Sequence, residues 1–134
     1  EGAGLYRDEA SLKETCETIV GLKERFKNLK LDDHSKTFNT ELVAALELRS
    51  VLEVAEAMAA SALKRTESRG SHQRSDHPER DDDVFLKHSM AYRTDGAPRI
   101  EYKDVVITNW PPGKRTYGVD SGLKRKKQEA ADGA

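Results

Sequence analysis

The sequence has one cysteine in 134 residues and a net charge of −1, from 23 basic and 24 acidic side chains. A single cysteine excludes an internal disulfide and a zinc site built from several thiolates. The balanced charge gives no general attraction to nucleic acid, so no nucleic-acid partner is expected. No apolar run approaches the roughly 20 residues of a membrane span, and no signal-peptide pattern opens the chain. A reducing, cytoplasmic setting is therefore expected.

The sequence also lacks the common signatures of catalysis and nucleotide binding. Its nine glycines are scattered, and neither GxGxxG nor GxxxxGK[ST] occurs. A GxSxG nucleophile elbow and a helical HExxH pair are missing as well. Acidic residues are abundant, but none stands in an apolar context that suits acid–base chemistry. We expect no catalytic residue in this chain, and any nucleotide or flavin cofactor must be bound by another part of the protein.

The first helix is predicted between residues 6 and 31. Apolar side chains recur there every three or four positions, among them Leu12, Cys16 and Ile19, which places them on one stripe. Asp8 is a candidate N-cap. Because Cys16 lies on the apolar stripe, we interpret it as a small buried side chain rather than a nucleophile.

The second helix is predicted between residues 39 and 67, where Ala, Leu and Glu dominate. Asn39 or Thr40 can cap its start, and Gly70 is a candidate stop signal. Its apolar positions extend beyond one face. This pattern indicates either a helix packed on two sides or two helices joined by a break near Leu48.

A polar, charged loop follows over residues 71–83, and loops of this length are usually functional or docked on something. Two strands are predicted at 85–93 and 99–108, joined by a turn at 94–98. The fold class is thus mainly α: an antiparallel helical bundle followed by a charged loop and a small β-hairpin.

The predicted domain covers residues 1–118, and a charged tail covers 119–134. The basic run Lys124-Arg125-Lys126-Lys127 in the tail favours a solvated segment over a targeting or nucleic-acid patch.

Two histidines lie close together in the charged loop. His72 and His77 are five residues apart and adjoin Asp76, and imidazoles with carboxylates can bind a divalent metal. Their spacing matches no recognised zinc or calcium pattern. We therefore expect no metal site.

One string is more specific than any other feature. Residues 67–76 contain the pattern E-S-R-G-x-H-x-R-x-D, followed by F-L-K-H at 85–88 and P-P-G-K-R-T-Y-G at 111–118. In this order the motifs resemble the C-terminal domain of the flavoprotein subunit of succinate dehydrogenase and fumarate reductase. The resemblance runs from about Leu5 to Gly118.

The resemblance implies a parent subunit that binds FAD covalently, interconverts succinate and fumarate, and passes electrons to an iron–sulfur subunit. The flavin-binding and substrate-binding residues of the family lie in preceding domains, so no catalytic or cofactor-binding residue is expected here. The implied partners are the flavin-binding domain of the same polypeptide, the iron–sulfur subunit and an assembly factor. The implied location is cytoplasmic, on the inner face of the cell membrane through partner subunits.

Within the motif, Arg69, Gly70, His72, Arg74 and Asp76 are predicted to form a docking surface for the flavin domain. Gly70 permits a positive φ and a sharp turn, and the arginines offer forked donors to carboxylates or carbonyls. The alternative is that these residues satisfy the loop internally. At the level of the whole protein, the alternatives are a free-standing helical interaction module and a fragment of an L-aspartate oxidase.

Overall fold

A computed structural model describes residues 2–113 of the chain. This part is helical with a small antiparallel sheet, in agreement with the predicted class. In chain order the elements are β1 (Tyr6–Arg7), α1 (Glu9–Phe26), α2 (Thr40–Lys64), β2 (Gln73–Arg74), α3 (Asp82–Phe85), β3 (Lys87–Tyr92) and β4 (Arg99–Asp104). No helix within residues 2–113 is long and apolar enough to cross a membrane.

α1 begins at the predicted cap and is shorter than the predicted range of 6–31. Asp8 Oδ1 accepts a hydrogen bond from the Ser11 N–H at 2.8 Å, and Ser11 Oγ accepts one from the Asp8 N–H at 3.2 Å. This capping box starts the helix, so the residues before it are left extended. After Phe26 the backbone bonds tighten, with the Leu29 N–H donating to the Phe26 carbonyl at 3.0 Å, and the α-helix ends.

α2 is one continuous helix of 25 residues, so a break near Leu48 is wrong. The Asn39 side chain caps it by accepting from the backbone N–H three residues later at 2.7 Å. The helix ends at Lys64, before the predicted residue 67, because Arg65 takes an extended backbone conformation. From Arg65 onward the chain leaves the helix and leads to the buried residue Glu67.

The core lies mainly between α1 and α2. The two helices pack against each other, and Lys23 Nζ of α1 donates to Glu56 Oε2 of α2 at 2.5 Å. The buried apolar side chains on the two helices are Leu12, Ile19, Leu52 and Ala59. Burial of each large one stabilises the fold by about 1.5–3 kcal/mol.

β3 and β4 form the predicted hairpin, with Lys87 opposite Asp104 and Tyr92 opposite Arg99. Both strands are shorter than the predicted 85–93 and 99–108. Residues 82–85 form the single turn α3 instead of strand, so β4 has no partner beyond Asp104 and ends there.

The hairpin is held against the end of α2. Ile100 is buried, and its carbonyl accepts from Lys64 Nζ at 2.8 Å. In return, the Tyr102 hydroxyl donates to the Lys64 carbonyl at 3.1 Å. The last turn of α2 therefore contacts the sheet through both its side chain and its backbone.

β1 and β2 form a short parallel pair that was not predicted. The Gln73 N–H donates to the Leu5 carbonyl at 3.2 Å, and the Ser75 N–H donates to the Arg7 carbonyl at 2.9 Å. Strands of two residues show no alternation of apolar and polar side chains, so sequence periodicity gave no sign of them. The pair ties the start of the chain to the charged loop. The predicted tail at 119–134 lies outside the described residues.

Candidate functional site

The motif string at residues 67–76 lies within one compact segment, here called the motif loop (residues 65–82). Its tip is a tight turn in which the Arg69 N–H donates to the His72 carbonyl at 2.8 Å and the His72 N–H donates to the Arg69 carbonyl at 3.0 Å. Gly70 has φ of 59° at this turn. The predicted positive φ is therefore confirmed, although the turn follows the end of α2 by several residues.

Glu67 is the centre of the motif loop, and it is fully buried (0% exposed). It accepts hydrogen bonds from Arg65 Nη1, from Arg69 Nε at 2.7 Å and Nη2 at 2.9 Å, and from the Asp81 N–H at 2.9 Å. Burial raises the pKa of this carboxyl, but the hydrogen bonds from Arg69, Asp81 and Arg65 outweigh it, so the pKa is lowered overall. Glu67 is an ionised, fully engaged carboxylate at neutral pH.

Arg65 connects this carboxylate to the hairpin. Its Nη2 donates to the Lys87 carbonyl at 2.7 Å and its Nη1 to the Phe85 carbonyl at 2.8 Å. The guanidinium also lies 5.4 Å from the centre of the Phe85 ring, within cation–π range. Sequence reasoning selected neither Arg65 nor Glu67. The available signal was one glutamate flanked by arginines two residues away on each side.

Arg74 is a buried side chain that links the end of α2 to the start of α1. It is 1% exposed, and its Nη1 lies 3.3 Å from each of three carbonyls near the end of α2, those of Ala62, Leu63 and Arg65. Helix C-termini leave carbonyls without partners, and a buried guanidinium satisfies them here.

Asp76 accepts hydrogen bonds from the other side of the Arg74 guanidinium. Arg74 Nε donates to its Oδ1 at 2.7 Å and Nη2 to its Oδ2 at 2.6 Å, a two-pronged ion pair. The Glu9 N–H in the first turn of α1 also donates to Asp76 Oδ2 at 2.9 Å. The hydrogen bonds from Arg74 hold the pKa of Asp76 well below its usual range.

His72 is half-buried, and its Nε2 lies 3.0 Å from the Arg65 carbonyl. Burial lowers the pKa of His72, and the nearby charges of Arg7 and Arg74 lower it further. His72 is thus neutral at neutral pH and donates to a carbonyl. His77 lies 4.0 Å from Asp76 instead, and within residues 2–113 no three His, Cys, Asp or Glu side chains are grouped to bind a metal.

The five residues predicted to dock on a flavin domain have different exposures. Gly70 and Asp76 are exposed, Arg69 and His72 are half-buried, and Arg74 is buried. The structure brings all five into the motif loop, where both arginines contact carboxylates of the same domain. Their docking role remains a prediction.

Cys16 is partly buried on α1. Burial raises the pKa of its thiol, and the negative charges of Glu56 and Glu17 add to the effect. A thiolate nucleophile needs the opposite, an electropositive setting. The thiol is therefore protonated and unreactive at neutral pH.

Together, the helix pair, the hairpin and the inward-facing motif loop define a structural domain, whose ionised side chains bind one another. Residues 1–117 match the family described as "Fumarate reductase flavoprotein C-term", and the chain belongs to this family. Its relatives are fumarate reductase and succinate dehydrogenase flavoprotein subunits, and the chain matches their non-catalytic C-terminal domain.

Three similar proteins illustrate the match. A fumarate reductase flavoprotein subunit from Serratia sp. is 50% identical over 99% of this chain and 23% of its own length. The corresponding subunit from Mycobacterium tuberculosis is 54% identical over 87% of this chain and 20% of its own length. A solved E. coli quinol fumarate reductase superposes with a TM-score of 0.82 at 49% identity, covering 87% of this chain and 20% of that one. The chain spans about a fifth of the length of these relatives.

The described residues do not fit a flavin nucleotide. β1 leads directly into α1, and a strand-to-helix junction of this kind holds phosphates in nucleotide-binding folds. Here Asp8 accepts from the Ser11 N–H and Asp76 accepts from the Glu9 N–H. These carboxylates occupy the donors that a phosphate would use and repel its charge.

Proposed function

We propose that the chain is the C-terminal domain of an FAD-dependent succinate dehydrogenase or fumarate reductase flavoprotein subunit, and that it supports the flavin-binding domain of the same polypeptide. The observation that carries this proposal is the family match over residues 1–117, with about half of the residues identical to those of fumarate reductase subunits. The TM-score of 0.82 to a quinol fumarate reductase supports it independently.

In this proposal the parent subunit interconverts succinate and fumarate and passes electrons to an iron–sulfur subunit. FAD supplies the redox chemistry and is bound by preceding domains. Within residues 2–113 a strand leads directly into a helix only at β1–α1, and carboxylates occupy the N–H donors there that a phosphate would need. An assembly factor is a further partner. The parent complex lies on the inner face of the cell membrane, held there by its partner subunits.

The domain itself comprises residues 1–118, with a charged tail at 119–134. Its two long helices pack antiparallel within a helical bundle. The ion pair between Lys23 and Glu56 supports this arrangement. So does the bond from the Glu9 N–H to Asp76, because Arg74, the ion-pair partner of Asp76, contacts carbonyls at the end of α2.

The motif loop is the proposed docking surface for the flavin domain. Its internal bonds fix the shape of the loop, and the exposed tip at Gly70 and Ser71 carries no core of its own. Charge reversal of Arg69 would also remove its bonds to Glu67, so a substitution at the tip tests docking more cleanly. Ser71→Trp adds bulk there without removing an internal contact of Glu67.

In the full-length subunit, Ser71→Trp is expected to lower the content of covalently attached flavin several-fold. Asp95→Trp, at the exposed connection of the hairpin, is the matched control and should retain wild-type flavin. Flavin is quantified by absorbance after gel filtration. Equal flavin content in both variants would refute docking through the motif loop.

The activity of the parent is tested on the purified full-length subunit. We expect bound flavin and fumarate reduction with a reduced dye, together with dye-linked succinate oxidation. Oxidation of L-aspartate in place of succinate would identify an L-aspartate oxidase. A native polypeptide of only this length without flavin would identify a free-standing interaction module.

A further inference from the structure

The chain leaves the hairpin as an exposed segment, residues 106–113, here called the strap. None of its residues belongs to a helix or strand, and all of them are exposed, Val106 by 83% and Trp110 by 86%. Within residues 2–113, apolar burial therefore does not hold the strap in place. Pro111 and Pro112 have no backbone N–H to donate, so this part of the strap cannot be held by a ladder of backbone hydrogen bonds.

Arg80 of the motif loop holds the end of the strap. Its Nη1 donates to the Gly113 carbonyl at 2.9 Å, and its Nη2 lies 3.4 Å from the Pro112 carbonyl. Among the described residues these two contacts are the hydrogen bonds of the strap. The strap is therefore fixed at one end by its covalent connection to β4 and at the other end by a single side chain.

Asp82 sets the direction of the Arg80 guanidinium. Arg80 Nε donates to Asp82 Oδ1 at 2.8 Å, and Arg80 Nη2 donates to Asp82 Oδ2. A guanidinium has five N–H donors in one rigid plane. Because Asp82 occupies one edge of this plane, the remaining donors of Nη1 and Nη2 point away from the carboxylate, towards the strap. A lysine ammonium carries its donors on one atom and cannot span both sets of acceptors.

The same contacts connect the two motif strings of the chain. The buried carboxylate of Glu67 binds Arg69, and Arg69 Nη2 donates to Asp82 Oδ1 at 2.7 Å. Asp82 in turn binds Arg80. A series of alternating charges thus leads from the centre of the motif loop to the first residues of the second string, 111–118.

We propose that Arg80 is a latch for the strap: when it is closed the strap follows a fixed path beside the motif loop, and when it is open the strap moves freely while the helices and the hairpin stay folded. Segments with few buried contacts open locally, at a lower cost than global unfolding. Opening the strap breaks no apolar burial and no other hydrogen bond within residues 2–113. Arg80 is thus a positioning residue for the strap.

The fluorescence anisotropy of Trp110 tests the latch, because Trp110 is the only tryptophan of the chain and lies in the strap. In the wild-type chain we expect the anisotropy to decay mainly with the tumbling of the whole domain. Arg80→Lys keeps the charge but removes the fork, so it should lower the anisotropy and enlarge the fast component that a mobile loop produces. Urea unfolding should have the wild-type midpoint, since the core is not involved.

Arg93→Lys is the matched control for this substitution. Arg93 is 75% exposed and pairs with Glu53 of α2, so the loss of its fork should leave the decay of Trp110 unchanged. A wild-type decay in Arg80→Lys, or the same change in both variants, would overturn the proposal.

Two shortened chains test the latch with Arg80 intact, and so do not depend on the folding of Arg80→Lys. Both are made with an amidated C-terminus, which removes the terminal charge. Residues 1–114 retain both acceptor carbonyls and should keep the slow decay of Trp110, whereas residues 1–111 lack both and should show the fast component. A fast decay in residues 1–114 would show that the later residues hold the strap, and a slow decay in residues 1–111 would show that Arg80 does not. Either result would refute the latch.

Discussion

Arg74 and Asp76 form a two-pronged ion pair that links the end of α2 to the start of α1. The guanidinium contacts Asp76 at 2.7 and 2.6 Å on one side and the α2 carbonyls at 3.3 Å on the other. Asp76 in turn accepts from the Glu9 N–H at 2.9 Å. Two residues that lie two positions apart in the motif therefore connect the start of α1 to the end of α2, which are distant in the sequence.

Replacement of Arg74 should destabilise the fold strongly. Arg74→Met keeps the length of the side chain but leaves Asp76 and the α2 carbonyls without their donor. We expect the free energy of unfolding to fall by about 3 kcal/mol, the scale of a broken buried pair. Urea unfolding of the chain measures it. Arg93→Met is the control, because that side chain is 75% exposed, and its loss should cost at most about 0.5 kcal/mol. Equal effects would contradict the structural role of Arg74.

Glu67→Gln tests the centre of the motif loop. An amide has one oxygen, so it satisfies only part of the donor set from Arg65, Arg69 and the Asp81 N–H. Two guanidinium groups then lose their buried counter-charge, and a loss of about 3 kcal/mol in the free energy of unfolding is expected. Glu101→Gln, 47% exposed on the hairpin, is the matched control. A Glu67→Gln protein as stable as this control would show that the buried carboxylate contributes nothing.

The helices and the hairpin were predictable because their signals are local. The cap at Asp8, the cap at Asn39 and the apolar periodicity of α1 are all visible within a few residues. Several bonds of the motif loop, in contrast, join residues that are distant in the sequence. Arg74 binds carbonyls on α2 eleven or twelve residues away, and β2 pairs with residues at the start of the chain. Such partners depend on the packing of α1 against α2, which no short sequence window contains.

The same contrast explains the candidate site. The motif string drew attention to Arg69 and Arg74 as donors for a facing domain, whereas the structure directs them to Glu67 and Asp76 of their own domain. A forked donor is equally suited to either target. The spacing of two residues between each arginine and its carboxylate is compatible with an internal partner but does not exclude an external one, because the choice depends on which carboxylate the fold brings within 3 Å.

Gly70→Ala should destabilise the turn of the motif loop. Gly70 has φ of 59°, and a Cβ built there meets no atom within 4 Å. The cost is therefore conformational and not steric, about 1 kcal/mol for an L-residue in the left-handed region. Gly96→Ala is the control, because its added Cβ also meets open space and its φ lies outside that region. Thermal unfolding of both variants measures the difference. Equal melting temperatures would refute the conformational requirement at Gly70.

Acid should unfold the domain through the same carboxylates. Hydrogen bonds from Arg80 and Arg69 lower the pKa of Asp82 to about 2, and the pKa values of Glu67 and Asp76 are lowered too. A carboxyl whose pKa is lower in the folded state stabilises the fold at pH values above its unfolded pKa, about 4, and loses this contribution as the pH falls through the folded value.

We therefore expect a first, small decline in the free energy of unfolding below about pH 6.5, because the lowered pKa of His72 lets only the unfolded chain take up that proton. The carboxylates add a steeper decline from about pH 4 toward pH 2. Asp82→Asn should flatten this decline, because it removes one of the groups that take up protons on unfolding. Asp95→Asn, at the exposed connection of the hairpin, should leave the slope unchanged. Urea titrations at half-unit pH steps measure the slopes. A stability that rises on acidification, or an identical slope in both variants, would show that the ion pairs of the motif loop do not control acid unfolding.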